Sequence, residues 1–344
     1  MNKFIIDEKE FEVESSNFEN EFVVKSHPKN YKVNFKKFSN DFNDNDILLI
    51  DKNVKEKYNI NHNKIIVIEA TEKNKSIETV LDICQKLTDY NFDKGNNLIV
   101  IGGGIIQDLG AFTGKMYKRG IKWIYYPTTL LSQCDSCIGG KTALNFKENK
   151  NQLALFSAPD EVIIDLDFLN TLSNEDKISG LGEIVKLFLI GGDYYVDNYN
   201  NFELKELIYH SLMIKKAVID YDEFENNERK SLNLGHSFGH IIEPMSDYKI
   251  PHGEAVMLGI SIINKLFFND KKSDELVLKY TDLSKLGSIE NFDIKLLVER
   301  LKTDKKVKNG IITFVVIERP GITKFIVCPV DEKLEKEVNE IFTN

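Results

Sequence analysis

The chain has 344 residues, of which 42% are hydrophobic, so it can form two domains of ordinary size with sizeable cores. Its formal net charge of −9 argues against nucleic acid or an anionic membrane as the main partner. No apolar run approaches a membrane span, and four cysteines are too few for a disulfide scaffold, so a cytoplasmic protein is expected.

Apolar runs and helical patterns alternate over the first half of the chain. Short strands are predicted before residue 40, and longer buried strands follow at 47–50, 64–69, 97–101, 122–126 and 161–165. Helices are predicted between them at 76–87 and 106–118. This alternation predicts a Rossmann-like α/β domain with a parallel sheet.

From about residue 170 the pattern becomes mainly helical. Helices are predicted at 178–190, 202–221, 232–245, 254–268 and 293–301, followed by a hairpin of 311–316 and 325–327. We therefore predict two domains, an α/β domain of residues 1–170 and a mainly α-helical domain of residues 171–344.

Half of the six histidines fall in one short stretch, at His236, His240 and His252. Residues four apart share one face of a helix, and imidazoles that converge from two elements suit a zinc-type ion. A histidine pair at this spacing also arises by chance in ordinary helices. The neighbouring glycines favour the metal interpretation, because packing of a core does not require them.

Glu183 is the candidate for an acidic metal ligand. It lies in an apolar helical stretch, where a carboxylate is unfavourable unless it is paired or bound to a metal. A salt bridge to Lys186 is the alternative. With two histidines in need of a further ligand, we favour metal binding.

Two glycine-rich segments are candidate binding loops. Gly102–Gly104 joins a strand to a helix, as in loops that hold a pyrophosphate, although a plain tight turn is the alternative. An acid at a strand end, such as Asp51 or Glu72, suits a ribose hydroxyl. The irregular segment 127–151 carries charged and hydroxyl side chains and is predicted to be a site loop.

Taken together, the motifs resemble those of one family. They are, in chain order, Gly102-Gly103-Gly104-Ile105 with Asp108, Tyr117-Lys118-Arg119-Gly120, Pro127-Thr128-Thr129, Asp135-Ser136 with Gly139-Gly140-Lys141, Lys150-Asn151, Gly182-Glu183-Ile184-Val185-Lys186, Asn233-Leu234-Gly235-His236 with His240, His252-Gly253-Glu254 and Asp304-Lys305-Lys306. From about residue 50 to residue 330 the chain resembles the 3-dehydroquinate synthases, which are sugar phosphate cyclases.

The resemblance implies a homodimeric enzyme with an NAD-binding domain, a helical metal-binding domain and an active site in the cleft between them. Zinc, or cobalt in its place, would be held by Glu183, His236 and His252. The implied NAD contacts are Asp51, Asn53, Glu72, Lys75, Gly103, Gly104, Ile105, Asp108, Thr128, Thr129 and Lys150. The implied substrate contacts and catalytic residues are Arg119, Asp135, Lys141, Lys150, Asn151, Lys186, Lys215, Arg229, Asn233, His240 and Lys306, with Arg119 reaching the neighbouring subunit's site.

The implied substrate is an anionic sugar phosphate, 3-deoxy-D-arabino-heptulosonate 7-phosphate, which would be cyclised to 3-dehydroquinate with loss of phosphate. The chain departs from the family pattern at Gln107, where a glycine is usual, and over 146–149. The side chain of Gln107 either crowds the cofactor or points outward. These departures leave open a cyclase for another heptulose or hexose phosphate, and a metal-dependent polyol dehydrogenase is a further alternative.

Overall fold

The computed structural model describes residues 2–14, 17–147, 149–290, 292–302 and 307–343. The chain divides into two compact units, Glu19–Ser173 and a unit that combines Met1–Phe18 with Asn174–Asn344. We call them the α/β unit and the helical unit. Among the described residues, no helix is long and apolar enough to cross a membrane.

The first residues of the chain belong to the helical unit, whereas we predicted them to be part of the α/β domain. Strands β1 (Lys3–Ile6) and β2 (Lys9–Glu12) form an antiparallel hairpin. The physical reason for the difference is strand pairing: Ile5 lies opposite Ile322 in a parallel ladder near the end of the chain. The other bound of the α/β unit, at Ser173, lies three residues beyond the predicted residue 170.

The α/β unit is built on a seven-stranded sheet, and this confirms the predicted Rossmann-like fold class. In chain order its elements are β3 (Glu21–Val24), β4 (Tyr31–Phe35), β5 (Ile47–Asp51), α1 (Lys52–Tyr58), β6 (Ile65–Ile68), α2 (Ile77–Asp89), β7 (Leu98–Gly102), α3 (Gly104–Met116), β8 (Trp123–Pro127), β9 (Lys141–Phe146), β10 (Asn149–Phe156) and β11 (Glu161–Ile164). The strand order is β3-β4-β11-β8-β7-β5-β6, and only β3 is antiparallel to its neighbour.

The order of the strands reverses at β5, which pairs with β6 on one side and β7 on the other. All five residues of β5 and of β7 are buried, as expected for central strands covered on both faces. In open α/β sheets, ligands bind at the carboxyl ends of the strands at such a reversal. Asp51 and Gly102 end these two strands.

The segment that we predicted to be an irregular loop contains a two-stranded antiparallel hairpin, β9–β10, which lies outside the main sheet. Its ladder is interrupted between Asn149 and Leu153. The segment 146–149, where the sequence departs from the family pattern, connects the two strands of this hairpin. Position 148 lies outside the described residues.

The helical unit has eight helices within its described residues, and a hairpin that pairs with β1. In chain order these helices and the two strands of the hairpin are α4 (Asn174–Gly191), α5 (Asp193–Asp197), α6 (Leu204–Ile219), α7 (His236–Met245), α8 (His252–Phe267), α9 (Lys271–Val277), α10 (Ile294–Lys302), β12 (Ile311–Arg319), β13 (Ile322–Pro329) and α11 (Glu332–Thr343). Helix α8 packs against α4, α7 and β12 and is buried along most of its length. The predicted helices and closing hairpin are confirmed.

Candidate functional site

Three side chains of the helical unit bring metal-ligand atoms together. Glu183 lies in the middle of α4, while His236 and His252 are the first residues of α7 and α8. Oε1 of Glu183 lies 3.2 Å from Nε2 of His252 and 3.7 Å from Nε2 of His236. A carboxylate oxygen and two imidazole nitrogens at this spacing form the ligand set of a zinc-type ion.

Close helix packing produces this convergence. A Cβ atom added to Gly182 would lie 2.1 Å from the carbonyl oxygen of Gly253, and one added to Gly253 would lie 1.9 Å from the carbonyl oxygen of Ser179. No side chain fits at either position, so α4 and α8 meet backbone to backbone beside Glu183 and His252. Packing therefore requires the glycines next to the ligands, and the expectation from the sequence that packing does not require them was wrong.

The second nitrogen of each ligand histidine also has a partner. Nδ1 of His252 lies 3.0 Å from Oε2 of Glu243, and Nδ1 of His236 lies 3.0 Å from the carbonyl oxygen of Leu234. Such contacts fix the orientation of a metal-ligating imidazole. Sequence analysis missed Glu243; its position three residues after His240 on one helix was the available signal.

The buried carboxylate makes the salt bridge to Lys186 that the sequence left as an alternative, and it also faces two candidate metal-ligand nitrogens. Oε2 of Glu183 pairs with Nζ of Lys186, and both side chains are almost fully buried. Among the described residues, Oε1 is buried without a hydrogen-bond partner and faces the two imidazoles. An atom that is desolvated and directed at two nitrogens in this way fits a cation.

The charges of the group shift two pKa values. Burial raises the pKa of the Glu183 carboxyl, but Lys186 and His252 outweigh this effect and hold the pKa well below its usual range. Burial lowers the pKa of His252, but Glu183 and Glu243 raise it to about 10. The metal-free group thus holds a proton that a cation would displace.

Other predicted residues of the helical unit lie on neighbouring elements. The ring of His240 lies 5.0 Å from that of His236, measured between centroids. Lys215 is buried on α6, which packs against α4. Arg229 and Asn233 lie in a short 3-10 segment, Glu228–Asn233, that also packs against α4.

Arg229 and Asn233 are held by the loop that precedes them. The guanidinium of Arg229 donates to the carbonyl oxygen of Glu223. The backbone N–H of Arg229 donates to the carboxylate of Asp222 over 3.1 Å. Nδ2 of Asn233 donates to Oε1 of Glu225 over 2.8 Å. Sequence analysis missed Glu225, which gave no signal beyond its charge.

In the α/β unit, the predicted nucleotide residues lie at the ends of the central strands. Asp51 ends β5, and its Oδ1 accepts a hydrogen bond of 2.7 Å from the backbone N–H of Asn53, so it caps α1. Gly103 precedes α3, and a Cβ there would lie 2.8 Å from Cγ2 of Thr129. The remaining predicted contacts on these elements are Gly104 and Ile105 in the first turn of α3, and Thr128, which follows β8.

A second group of predicted residues surrounds Lys75. Its Nζ lies 2.6 Å from Oδ2 of Asp108 and donates to Oδ1 of Asn151 over 2.8 Å. Burial raises the pKa of Asp108, and Lys75 offsets part of that shift. Nζ of Lys150 lies 4.0 Å from Oε1 of Glu72. The structure thus joins residues predicted for NAD to residues predicted for substrate.

The site loop and Gln107 contact each other. Asp135 lies in a short π-helical segment, Ser132–Ser136, and Lys141 begins β9. The Gln107 side chain is buried: its Nε2 donates to the carbonyl oxygen of Ser136 over 2.7 Å, and the Ser136 hydroxyl donates to its Oε1 over 2.6 Å. The prediction that it crowds the cofactor or points outward was incomplete, because these bonds tie α3 to the loop.

Of the two remaining predicted residues, the structure describes only Arg119, which lies apart from these groups. Arg119 is exposed, with a positive φ of 64°, and lines a shallow depression of about 490 Å³ with Asp93, Lys94 and Lys118. Lys306 lies outside the described residues.

Comparison with known proteins places this chain in a family. Residues 65–179 match the model for the 3-dehydroquinate synthase N-terminal domain, and residues 180–307 match the model for the C-terminal domain. The 3-dehydroquinate synthase of Pelagibacter ubique is 39% identical over 277 residues, which cover 73% of this chain and 74% of that protein. The chain belongs to the 3-dehydroquinate synthase family. The Dictyoglomus thermophilum enzyme is 38% identical over 79% of the chain and 81% of that enzyme.

Two solved structures share the fold of this chain. A 2-deoxy-scyllo-inosose synthase in complex with carbaglucose-6-phosphate, NAD+ and Co2+ superposes with a TM-score of 0.78 at 20% identity, over 93% of this chain and 99% of that one. A 2-epi-5-epi-valiolone synthase from Streptomyces hygroscopicus with NAD+ and Zn2+ superposes with a TM-score of 0.70 at 21% identity, over 87% of this chain and 89% of that one. These similarities support the fold class.

Proposed function

We propose that the chain is an NAD- and metal-dependent 3-dehydroquinate synthase, which converts 3-deoxy-D-arabino-heptulosonate 7-phosphate to 3-dehydroquinate and phosphate. The observation that carries this proposal is the convergence of Glu183, His236 and His252, with Lys186 against the same carboxylate. Relatives that are up to 39% identical carry the name of this activity.

The residues of the chain fit the two cofactors of this reaction. Glu183, His236 and His252 would hold zinc or cobalt, and Asp51 with the Gly103–Gly104 turn would hold NAD at the strand reversal. When bound, the two cofactors polarise a secondary alcohol and take up and return its hydride. Glu243 holds His252 in the orientation that directs Nε2 at the ion, and Lys186 neutralises the second carboxylate oxygen.

Buried cations support an anionic substrate. Lys186, Lys215 and Arg229 are all nearly inaccessible in a chain with a net charge of −9. Lys186 already meets the carboxylate of Glu183, and a substrate with a phosphate and a carboxylate would supply further anions to these cations. A neutral polyol requires no such set, so these residues disfavour the dehydrogenase alternative.

The experiment is a phosphate-release assay on purified protein with zinc, NAD and the heptulosonate phosphate. We expect phosphate release without accumulation of NADH, because the hydride returns in each turnover. Omission of NAD, or the variant His252→Ala, is expected to abolish release. His62→Ala is the matched control, because that histidine contacts Phe42 and backbone oxygens of its own unit and is not among the predicted site residues.

The same assay separates the alternatives. Net NADH without phosphate would identify a polyol dehydrogenase. If the heptulosonate phosphate released no phosphate but sedoheptulose 7-phosphate or glucose 6-phosphate did, the chain would be a cyclase of another specificity.

We also propose that the enzyme is a cytoplasmic homodimer. No disulfide joins the four cysteines within the described residues, as suits a reducing compartment, and the exposed Arg119 is available to a second copy. Sedimentation equilibrium tests the dimer, and fractionation of cells tests the location.

A further inference from the structure

The interrupted ladder of the β9–β10 hairpin leaves one residue opposite three. Asn149 pairs with Phe146, and the next pair joins Leu153 to Leu144. Asn145 therefore faces Lys150, Asn151 and Gln152 alone. Residues in such an interruption lack regular ladder bonds, so other contacts must set their positions.

Side chains set the position of Asn151. It has a positive φ of 55°, a conformation that L-residues seldom adopt. Its backbone N–H donates to Oδ1 of Asn145 over 3.0 Å, and its Oδ1 accepts from Nζ of Lys75 over 2.8 Å. Both the main chain and the side chain of Asn151 are therefore anchored.

The other end of the Asn145 amide contacts the nucleotide side. Nδ2 donates to Oε2 of Glu72 over 2.8 Å and to the backbone carbonyl oxygen of Glu72 over 3.0 Å. The backbone N–H of Asn145 donates to the carbonyl oxygen of Lys75 over 2.8 Å. One amide thus spans two segments that we assign to different ligands.

We propose that Asn145 is a positioning residue that couples nucleotide binding, sensed at Glu72, to sugar phosphate binding at Asn151. The inference rests on the proposed function, which assigns Glu72 and Lys75 to NAD and Asn151 to the substrate. When NAD fixes Glu72, the donor end of the amide is fixed too, and its acceptor end then holds Asn151 in place. Because coupling between two sites is reciprocal, bound sugar phosphate tightens NAD by the same factor.

The test measures the dissociation constant of NAD with and without a phosphonate analogue of the substrate, in which a methylene replaces the bridging oxygen so that elimination is blocked. We expect the analogue to tighten NAD about tenfold in the wild type and less than about twofold in Asn145→Ala. In turnover, Asn145→Ala should raise KM for the sugar phosphate about tenfold and lower kcat less than about threefold.

A second variant separates the two ends of the amide. Asn145→Asp keeps an acceptor for Asn151 but places a carboxylate against Glu72, so NAD affinity should fall while KM for the sugar phosphate changes little. Asn149→Ala is the matched control, because it removes an exposed asparagine from the same hairpin. Thermal unfolding of all three variants shows whether each is folded.

Two results from the variants would overturn the inference. One is that Asn145→Ala keeps the factor by which the analogue tightens NAD binding in the wild type. The other is that Asn149→Ala loses this factor to the same extent as Asn145→Ala. The inference would also be overturned if the wild type releases phosphate but its dissociation constant for NAD does not change with the analogue. That result would leave the proposed synthase function intact.

Discussion

The two groups of predicted site residues, which we call the packed half in the helical unit and the hydrogen-bonded half in the α/β unit, are held together by different forces. In the helical unit, the metal ligands lie on three α-helices whose backbones touch, and Glu183 is about 1% exposed. In the α/β unit, Lys150 and Asn151 lie in an exposed, interrupted hairpin held by side-chain hydrogen bonds. Helix packing preforms the first group, whereas the second depends on a few polar contacts. Substitutions that disturb the helix packing should therefore reduce stability and ligand binding more than substitutions that remove single hydrogen bonds.

The largest effect is expected from Gly182→Ala. The new methyl group would lie 2.1 Å from the carbonyl oxygen of Gly253, so α4 and α8 must separate and carry Glu183 away from His252. We expect a loss of about 3 kcal/mol in the free energy of unfolding, and little bound zinc. Urea unfolding and metal analysis measure both.

Gly287→Ala is the control for that substitution, because within the described residues, apart from its chain neighbours, no atom lies within 4 Å of an added Cβ there. Its stability and zinc content should match the wild type. Normal zinc content in Gly182→Ala would show that the contact between the backbones does not define the metal group.

Glu243→Gln tests a polar contact within the packed half. The amide keeps the shape of the side chain but not its charge, so Nδ1 of His252 loses its carboxylate partner. Loss of such a partner typically lowers metal affinity about 10- to 100-fold. Competition with a chromogenic chelator measures the affinity, and Glu299→Gln, on an exposed face of α10, serves as the control.

Metal affinity should also depend on pH. The pKa of His252 is raised from 6.5 to about 10, so the proton stabilises the metal-free fold below pH 6.5, and that contribution is lost as the pH rises through about 10. A metal ion must displace this proton. Apparent zinc affinity should therefore rise about tenfold per pH unit between about pH 6 and pH 8, with about one proton released per ion. An affinity that stays constant over this range would contradict the assignment.

The contrast between the halves also explains how much the sequence could predict. Few residue types bind a metal, so residue type and spacing marked His236, His240, His252 and a buried Glu183 as candidates, and the family resemblance then implied Glu183, His236 and His252 as the ligand set. The central strands were recognisable because buried parallel strands are continuous apolar runs.

Other features depend on contacts that a local pattern does not contain. The first strand joins the helical unit because Ile5 pairs with Ile322, and only the folded chain brings these residues together. Residues 149–152 of β10 are all polar and exposed, with no alternation that would mark them as part of a strand. The hydrogen bonds of Asn145 and Gln107 link residues between 6 and 73 positions apart, so no spacing rule could predict them.

The smallest effect is expected from Gln107→Ala. This variant removes both bonds to Ser136 and leaves a polar group of the loop without its partner, while the strands and helices around it keep their packing. We expect a loss of about 1–2 kcal/mol in the free energy of unfolding and a several-fold rise in KM for the sugar phosphate, because Asp135 lies next to Ser136.

Gln85→Ala, which removes an exposed glutamine bonded only within its own helix, should change neither quantity. If Gln107→Ala unfolded as readily as Gly182→Ala, the hydrogen-bonded half would be as dependent on a single contact as the packed half. An unchanged KM would instead show that the loop holds Asp135 without this bridge.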